Sequence, residues 1–242
     1  MEKELTVIIA AAGSSNRMGA GINKQFLPVK SKPVLCYSVD MLEKCPWVKE
    51  IIIVMQSSEI TKCCEILARH GHYHKIKGVI PGGSTRQESV WEGIKQTGED
   101  AEYIAIHDGA RPFFQRDLLE RLLQAAKKWG AAIPGLPIRD TLTTVDSDFW
   151  TGKTLDRSVI WAVQTPQVFK GAALKTAYKQ ARRDNIEATD DAALFAKYAG
   201  KVKLLPGDPY NIKITTPADL QLADFIAGHY AKNAINNSKP HI

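Results

Sequence analysis

Long apolar runs are missing from this sequence. Nothing in its 242 residues approaches the ~18 uninterrupted apolar positions of a membrane span, and the N-terminus carries no apolar leader core. The chain therefore reads as a cytosolic protein without a membrane partner. Cysteine is scarce too: Cys36, Cys45, Cys63 and Cys64 form neither a C-x-x-C pair nor a disulfide framework. Reduced, mostly buried thiols are expected, and zinc is not. The formal net charge of +6 comes without a basic tract or an alternation of aromatic and basic residues, which argues against nucleic acid and suits small polyanions held in a cleft. The familiar phosphate loops are absent as well. There is no G-x-x-x-x-G-K-[ST], and Gly13-Ser14-Ser15-Asn16 does not fit G-x-G-x-x-G, which counts against a dinucleotide-dependent oxidoreductase.

What is present is a regular alternation. Leu5 to Ala10, Glu50 to Met55, Lys75 to Ile80, Tyr103 to His107 and Ala131 to Leu136 read as short buried strands. Val34 to Lys44, Ser58 to Arg69, Ser84 to Gln96 and Arg116 to Lys128 carry the apolar spacing of amphipathic helices between them. Strands alternating with helices predict an α/β fold with a mostly parallel sheet flanked by helices. Ser84-x-x-Gln87 resembles a capping box, and Thr216-Pro217-Ala218-Asp219 offers a cap residue, an N1 proline and a first-turn acid. From Ile138 to Gln164 the rhythm breaks into a hairpin-like arm. Gly171 to Arg183, Thr189 to Tyr198 and Pro217 to Tyr230 return to helical spacing, with Val202 to Leu205 and Asn211 to Thr215 as short strands. One domain over 1–230 with the arm at 138–164 is expected, followed by a frayed tail at 231–242.

In an open α/β sheet, ligands sit beyond the carboxyl ends of the strands, so the loop after the first strand is the expected binding position. Here "AAAGSSNRMG" follows that strand. Ala11, Ala12 and Gly13 keep side-chain bulk low, so backbone N–H groups can approach a base or phosphate. Arg17 and Lys24 can add a planar fork and a point charge for phosphate oxygens; a glycine-rich turn with two solvated cations is the plain alternative. At the end of the fourth strand, "IHDGARP" places Asp108 where a carboxylate can hold magnesium beside Arg111, or can simply start a turn. "NIKITTPADL" supplies Lys213 ahead of a capped helix, and the arm supplies Thr141 and Arg157. Asp190 and Asp191 fit an acidic first helical turn, His107 fits packing or orientation support, and the His70, His72, His74 run fits an exposed turn.

Taken in order, "AAAGSSNRMG", "NKQFLPV", "PGGSTRQESV", "HDGARPF", "PIRDTL", "QTPQVF", "TDDAAL" and "NIKITTPADL" resemble the 2-C-methyl-D-erythritol 4-phosphate cytidylyltransferase family over Leu5 to Ile226. The resemblance implies a Rossmann-like nucleotidyltransferase core, an extended β-arm and a homodimer. It implies CTP as co-substrate, Mg2+ as the cofactor and pyrophosphate as a product. By resemblance, Arg17 and Lys24 meet the triphosphate, Asp108 is the magnesium-side carboxylate, and Lys213 sits at the reacting phosphates. The cytosine pocket falls on Ala11, Ala12, Gly13, Gly82, Gly83 and Ser89, largely through backbone groups. Sugar-phosphate contacts fall on Arg111, Thr141, Arg157 and Thr165, with Thr141 and Arg157 reaching a partner's site from the arm. The chain departs from the family at Ser15, where many relatives have glycine, and at Gly109, where they read HDAARP. Ribitol 5-phosphate cytidylyltransferases and a silent CTP-binding module remain alternatives at this level.

Overall fold

The structure, a computed structural model, describes residues 3–13 and 23–237, with side chains through Tyr230. Arg17 and Ser15 therefore lie outside the described residues. The elements run in chain order as β1 (Leu5–Ala10), β2 (Pro28–Val29), β3 (Lys32–Pro33), α1 (Val34–Lys44), β4 (Val48–Met55), α2 (Ile60–His70), β5 (Ile76–Pro81), α3 (Arg86–Gln96), β6 (Tyr103–Asp108), α4 (Arg116–Trp129) and β7 (Ala131–Pro137). There follow β8 (Thr143–Val145), β9 (Thr151–Thr154), β10 (Trp161–Val163), β11 (Gln167–Lys170), α5 (Gly171–Arg183), α6 (Asp191–Tyr198), β12 (Lys203–Pro206) and α7 (Pro217–Asn237).

β1 lies between β4 and β6, parallel to both, and β5 extends the sheet beyond β4. Each strand in this middle is buried on two faces, which explains its continuous apolar reading. Leu5, Val7 and Ile9 point into a core that includes Leu35, Leu42, Leu119 and Leu122 of α1 and α4. Ile8 points the other way, into a core with Ile94, Leu174, Tyr178 and Phe195 of α3, α5 and α6. A third cluster docks α7 through Ile226 and Ala227 onto Val29 and Phe113.

The sheet is mostly parallel, as expected, and two of its strands run antiparallel. β11 inserts antiparallel between β6 and β7, pairing Gln167 with Ile106 and Val168 with Ala132. β12 then runs parallel to β7, and β10 pairs with it antiparallel. Most other element ends move by one or two residues, and three further differences remain. Asn211 to Thr215 forms no strand, because its groups are tied across the chain: Ile214 N–H donates to Ala110 O at 2.9 Å and Asn211 Nδ2 to Thr165 O at 2.8 Å. The last helix passes Tyr230 and runs to Asn237, where a frayed tail was expected. The cap of α3 falls one residue on, at Thr85 with Glu88, since a carboxylate at N3 also favours the positive helix end. At α7 the expected cap residue Thr216 and first-turn acid Asp219 bond reciprocally, Asp219 N–H to Thr216 Oγ1 and Thr216 N–H to the Asp219 carboxylate. The arm folds as the β8–β9 hairpin, antiparallel from Thr143 opposite Thr154.

Candidate active site

The sheet order puts a switch point at β1. The chain proceeds outward from β1 to β4 and β5, then crosses back to lay β6 on the other side of β1. Ala10 and Asp108 end these two neighbouring strands in register, so the crevice expected of this topology opens between them. A cavity of about 480 Å3 is found there, lined among others by Ala12, Gly13, Lys24, Gly83, Ser89, Asp108 and Lys213.

Its second wall is the start of α3. Gly93 lets that helix lie close on the sheet, since a Cβ there would meet Ile8 Cγ2 at 2.6 Å. Thr85 accepts from Glu88 N–H at 3.1 Å, and the Glu88 carboxylate takes the N–H groups of Ser84 and Thr85 at 2.8 and 3.3 Å. The cap thus fixes the loop before it. Gly82 fits beneath that loop because its missing side chain leaves room for Ala12 and Ser89, each 2.7 Å from an ideal Cβ. Its N–H is spent on Met55 O and that of Ala11 on Val54 O, both at 2.8 Å. These two residues shape the wall and have no amide left for a ligand.

Asp108 is the electrostatic centre. Lys213 Nζ lies 2.8 Å from Oδ2, Arg86 Nε 3.2 Å from Oδ1, and Arg111 Nε 3.7 Å from Oδ2. Burial works against its ionisation, but Arg86, Lys213 and Arg111 outweigh burial and hold the carboxyl far below the usual carboxylate range. Lys24 adds another cation to the cavity wall. Arg86 and Arg111 are held by carboxylates or carbonyls, and Arg86 lines the cavity together with Lys24 and Lys213.

Beneath Asp108 lies a buried neutral layer. Asp108 N–H donates to Thr165 Oγ1 at 3.0 Å, and Thr165 Oγ1 lies 3.2 Å from His107 Nδ1. His107 Nε2 lies 3.0 Å from Arg111 O, so the partners assign Nε2 as the protonated nitrogen and Nδ1 as the acceptor. Burial pushes the imidazole down to about 4, which keeps it neutral. Arg111 donates to Asn211 O at 2.8 Å behind the carboxylate and does not line the cavity. Thr165 is likewise a buried support here.

The arm residues are elsewhere. Thr141 and Arg157 are exposed and line no part of the cavity, and the Arg157 guanidinium donates to Arg139 O on its own arm. Gly109 packs closely: a Cβ there would lie 3.0 Å from Gln25 Oε1 and 3.1 Å from Ala11 Cβ. Among the described residues no group of three His, Cys, Asp or Glu converges as a metal cage.

Sequence reasoning missed Arg86 and Asp191. Arg86 spans Asp108 and, through Nη2 at 2.8 Å, Asp191. A signal was available, because a cation in the first turn opposes the helix dipole and calls for an anionic partner. Asp190 and Asp191 do begin α6, but only Asp190 caps it, accepting from Ala193 N–H at 2.9 Å.

A family model described as 2-C-methyl-D-erythritol 4-phosphate cytidylyltransferase (IspD) matches residues 5–229. The protein of that name from Caldanaerobacter subterraneus subsp. tengcongensis is 40% identical over 220 residues, covering 91% of this chain and 97% of the relative. That from Symbiobacterium thermophilum is 40% identical over 232 residues, with 96% of each chain covered. Among solved structures, 4-diphosphocytidyl-2C-methyl-D-erythritol synthase from Anaerococcus prevotii superposes with a TM-score of 0.81 at 29% identity, over 93% of this chain and 96% of that one. The Thermus thermophilus cytidylyltransferase gives 0.75 at 33% identity, over 94% and 100%. With a match over nearly its whole length and relatives at this identity, the chain belongs to the 2-C-methyl-D-erythritol 4-phosphate cytidylyltransferase family.

Proposed function

We propose that the protein transfers the cytidylyl group of CTP to 2-C-methyl-D-erythritol 4-phosphate, releasing pyrophosphate, in the making of isoprenoid precursors. The observation that carries this reading is one ionised carboxylate, Asp108, set among Lys213, Arg86 and Arg111 at the mouth of the switch-point cavity. The attacking group is a phosphate already ionised near neutral pH, so no side chain has to remove a proton. The barrier lies in bringing two polyanions in line while charge grows on departing pyrophosphate. Lys24 and Lys213 at the cavity wall suit that task, and Arg17 completes the set by family resemblance. Gly13 and Gly83 leave backbone groups open to the base.

Mg2+ fits this donor set through one carboxylate. Asp108 is anionic and borders the cavity, and a single carboxylate with substrate phosphates is an adequate magnesium site. When bound, the ion supplies charge neutralisation and orientation to the triphosphate. Asp108 is the residue to hold it.

The nucleotidyltransferase unit spans 1–230, and its arm at 138–164 makes a homodimer. Phe149, Trp150 and Val159 support this, being 84%, 75% and 76% exposed on the arm. Assembly gives Thr141 and Arg157 a cavity to reach in the partner, where they grip the acceptor phosphate. The four free cysteines suit a reducing cytosol.

Pyrophosphate release from CTP and Mg2+ with purified protein tests the reading, comparing methylerythritol 4-phosphate with ribitol 5-phosphate. Methylerythritol phosphate is the expected acceptor. Preference for ribitol phosphate, or CTP binding with no turnover, overturns it. Lys213→Ala is expected to depress kcat by ~10²–10³-fold, the range for removing one preorganised charge-stabilising group.

A further inference from the structure

Arg86 reaches into the same site from α3 and borders the cavity. Its Nη2 donates to Asp191 Oδ2 at 2.8 Å and its Nε to Asp108 Oδ1 at 3.2 Å, so the edge of the guanidinium that carries these two donors is spent on carboxylates. Asp191 is 1% exposed, and its other oxygen accepts from the Tyr178 hydroxyl. Tyr178 is fully buried, with the Trp91 ring stacked on it at 6.1 Å and 8°. The far anchor of Arg86 is therefore rigid and hidden from solvent.

We propose that Arg86 is a positioning residue: Asp191 holds its guanidinium in place, and it fixes Asp108 so that Oδ2 faces Lys213 and the cavity. This role rests on the cytidylyl transfer proposed above. The physical reason is the soft torsion of a carboxylate. An aspartate χ2 is broad, so a carboxylate with cations on one side only can tilt its plane away from a single orientation. Arg86 holds Oδ1 from the α3 side, while Lys213 at 2.8 Å and Arg111 at 3.7 Å meet Oδ2 from the other. Three elements, α3, β6 and the segment before α7, are thereby locked to one carboxylate. Without Arg86, Lys213 becomes a counter-ion to a carboxylate that can rotate, and its ammonium no longer waits at a defined point for phosphate. Without Asp191, the guanidinium loses its buried anchor and can swing away from Asp108 Oδ1.

The experiment compares Asp191→Asn and Arg86→Lys with wild type, measuring kcat, KM for CTP, CTP affinity by calorimetry and thermal unfolding. Arg86→Lys keeps the charge but cannot span two carboxylates. Asp191→Asn keeps the shape but loses the charge that anchors the fork. Each is expected to lower kcat by ~10–10²-fold, the scale of a misplacement of about 1 Å at a reacting centre, with CTP affinity altered less than about threefold. The double variant is expected to be no slower than the slower single one, because both remove one linkage. Should Asp191→Asn fail to fold, Arg86→Lys with Tyr178→Phe carries the same test. A matching loss of CTP affinity in Arg86→Lys makes Arg86 a phosphate ligand and overturns the proposal. So does unchanged kcat in both variants of an active enzyme, or a fall in unfolding temperature with kcat intact. A wild-type protein that releases no pyrophosphate overturns the activity itself and this role with it.

Discussion

Replacing Gly82 by alanine tests the cavity wall with a single added carbon. A Cβ at this position lies 2.7 Å from Ala12 Cβ and 2.7 Å from Ser89 Oγ. Non-bonded carbons settle ~3.5–4.0 Å apart, so about 1 Å has to be made up. Ser89 gives way poorly, because it is 3% exposed and its hydroxyl donates to Thr85 O at 2.8 Å. Ala11 is anchored too, its N–H bonded to Val54 O at 2.8 Å. The displacement falls on Ala12 and Gly13, which line the cavity. Overpacking of this kind costs about 1–3 kcal/mol in stability. A shift of about 1 Å in the nucleotide's wall is expected to cost up to ~10²-fold in kcat/KM for CTP. Steady-state kinetics at saturating acceptor and thermal unfolding read the two effects separately. Gly78→Ala is the control, since nothing lies within 4 Å of its Cβ and it does not line the cavity. That variant should keep full activity and gain up to about 1 kcal/mol from the less flexible unfolded chain. Wild-type CTP kinetics and stability in Gly82→Ala would refute the close-approach argument.

Other outcomes follow from the same geometry. Burial raises the thiols of Cys36 and Cys45 to about 11 and that of Cys63 to about 12, while Cys64 is exposed. A disulfide-exchange reagent at pH 8 should therefore modify one thiol in the native protein and all four in denaturant; three fast native thiols would contradict the packing under α1 and α2. Arg157→Ala is expected to weaken use of the acceptor phosphate more than binding of CTP, read from the two KM values. Mixing the impaired Lys213→Ala and Arg157→Ala proteins should raise turnover above that of either alone if the arm serves its neighbour's cavity, and no gain would count against a shared site. Changing Phe149 and Trp150 together to aspartate should shift the protein to monomer in sedimentation and lower activity in step; a monomeric wild type would remove the arm's assigned purpose.

How far the sequence could be read follows the range of the physics involved. β1, β4 and β6 are largely buried on two faces, and a mostly apolar run announces that within the strand itself. The helices α1 and α5 could be bounded to the residue, because their apolar spacing starts and stops locally. β11 could not. Its four residues, Gln167–Lys170, carry too little pattern, and their strand state comes from being clamped between β6 and β7. Asn211 to Thr215 shows the converse error, an apolar alternation whose polar groups are claimed by Ala110, Arg111 and Thr165 from remote parts of the chain. The site divides in the same way. Asp108, Lys24 and Lys213 stand in motifs that follow strands or precede a helix, where topology alone points to the crevice. Arg86 and Asp191 are 105 positions apart, and nothing near either names the other. Yet Arg86 broke a local rule, a cation opening a helix, whereas Asp191 obeyed one as a first-turn acid and showed its burial only in the fold. The violation at Arg86 is relieved by Asp191, and the pair bears on Asp108. A residue that contradicts its own local setting is therefore a place to look for long-range partners in a site of this kind.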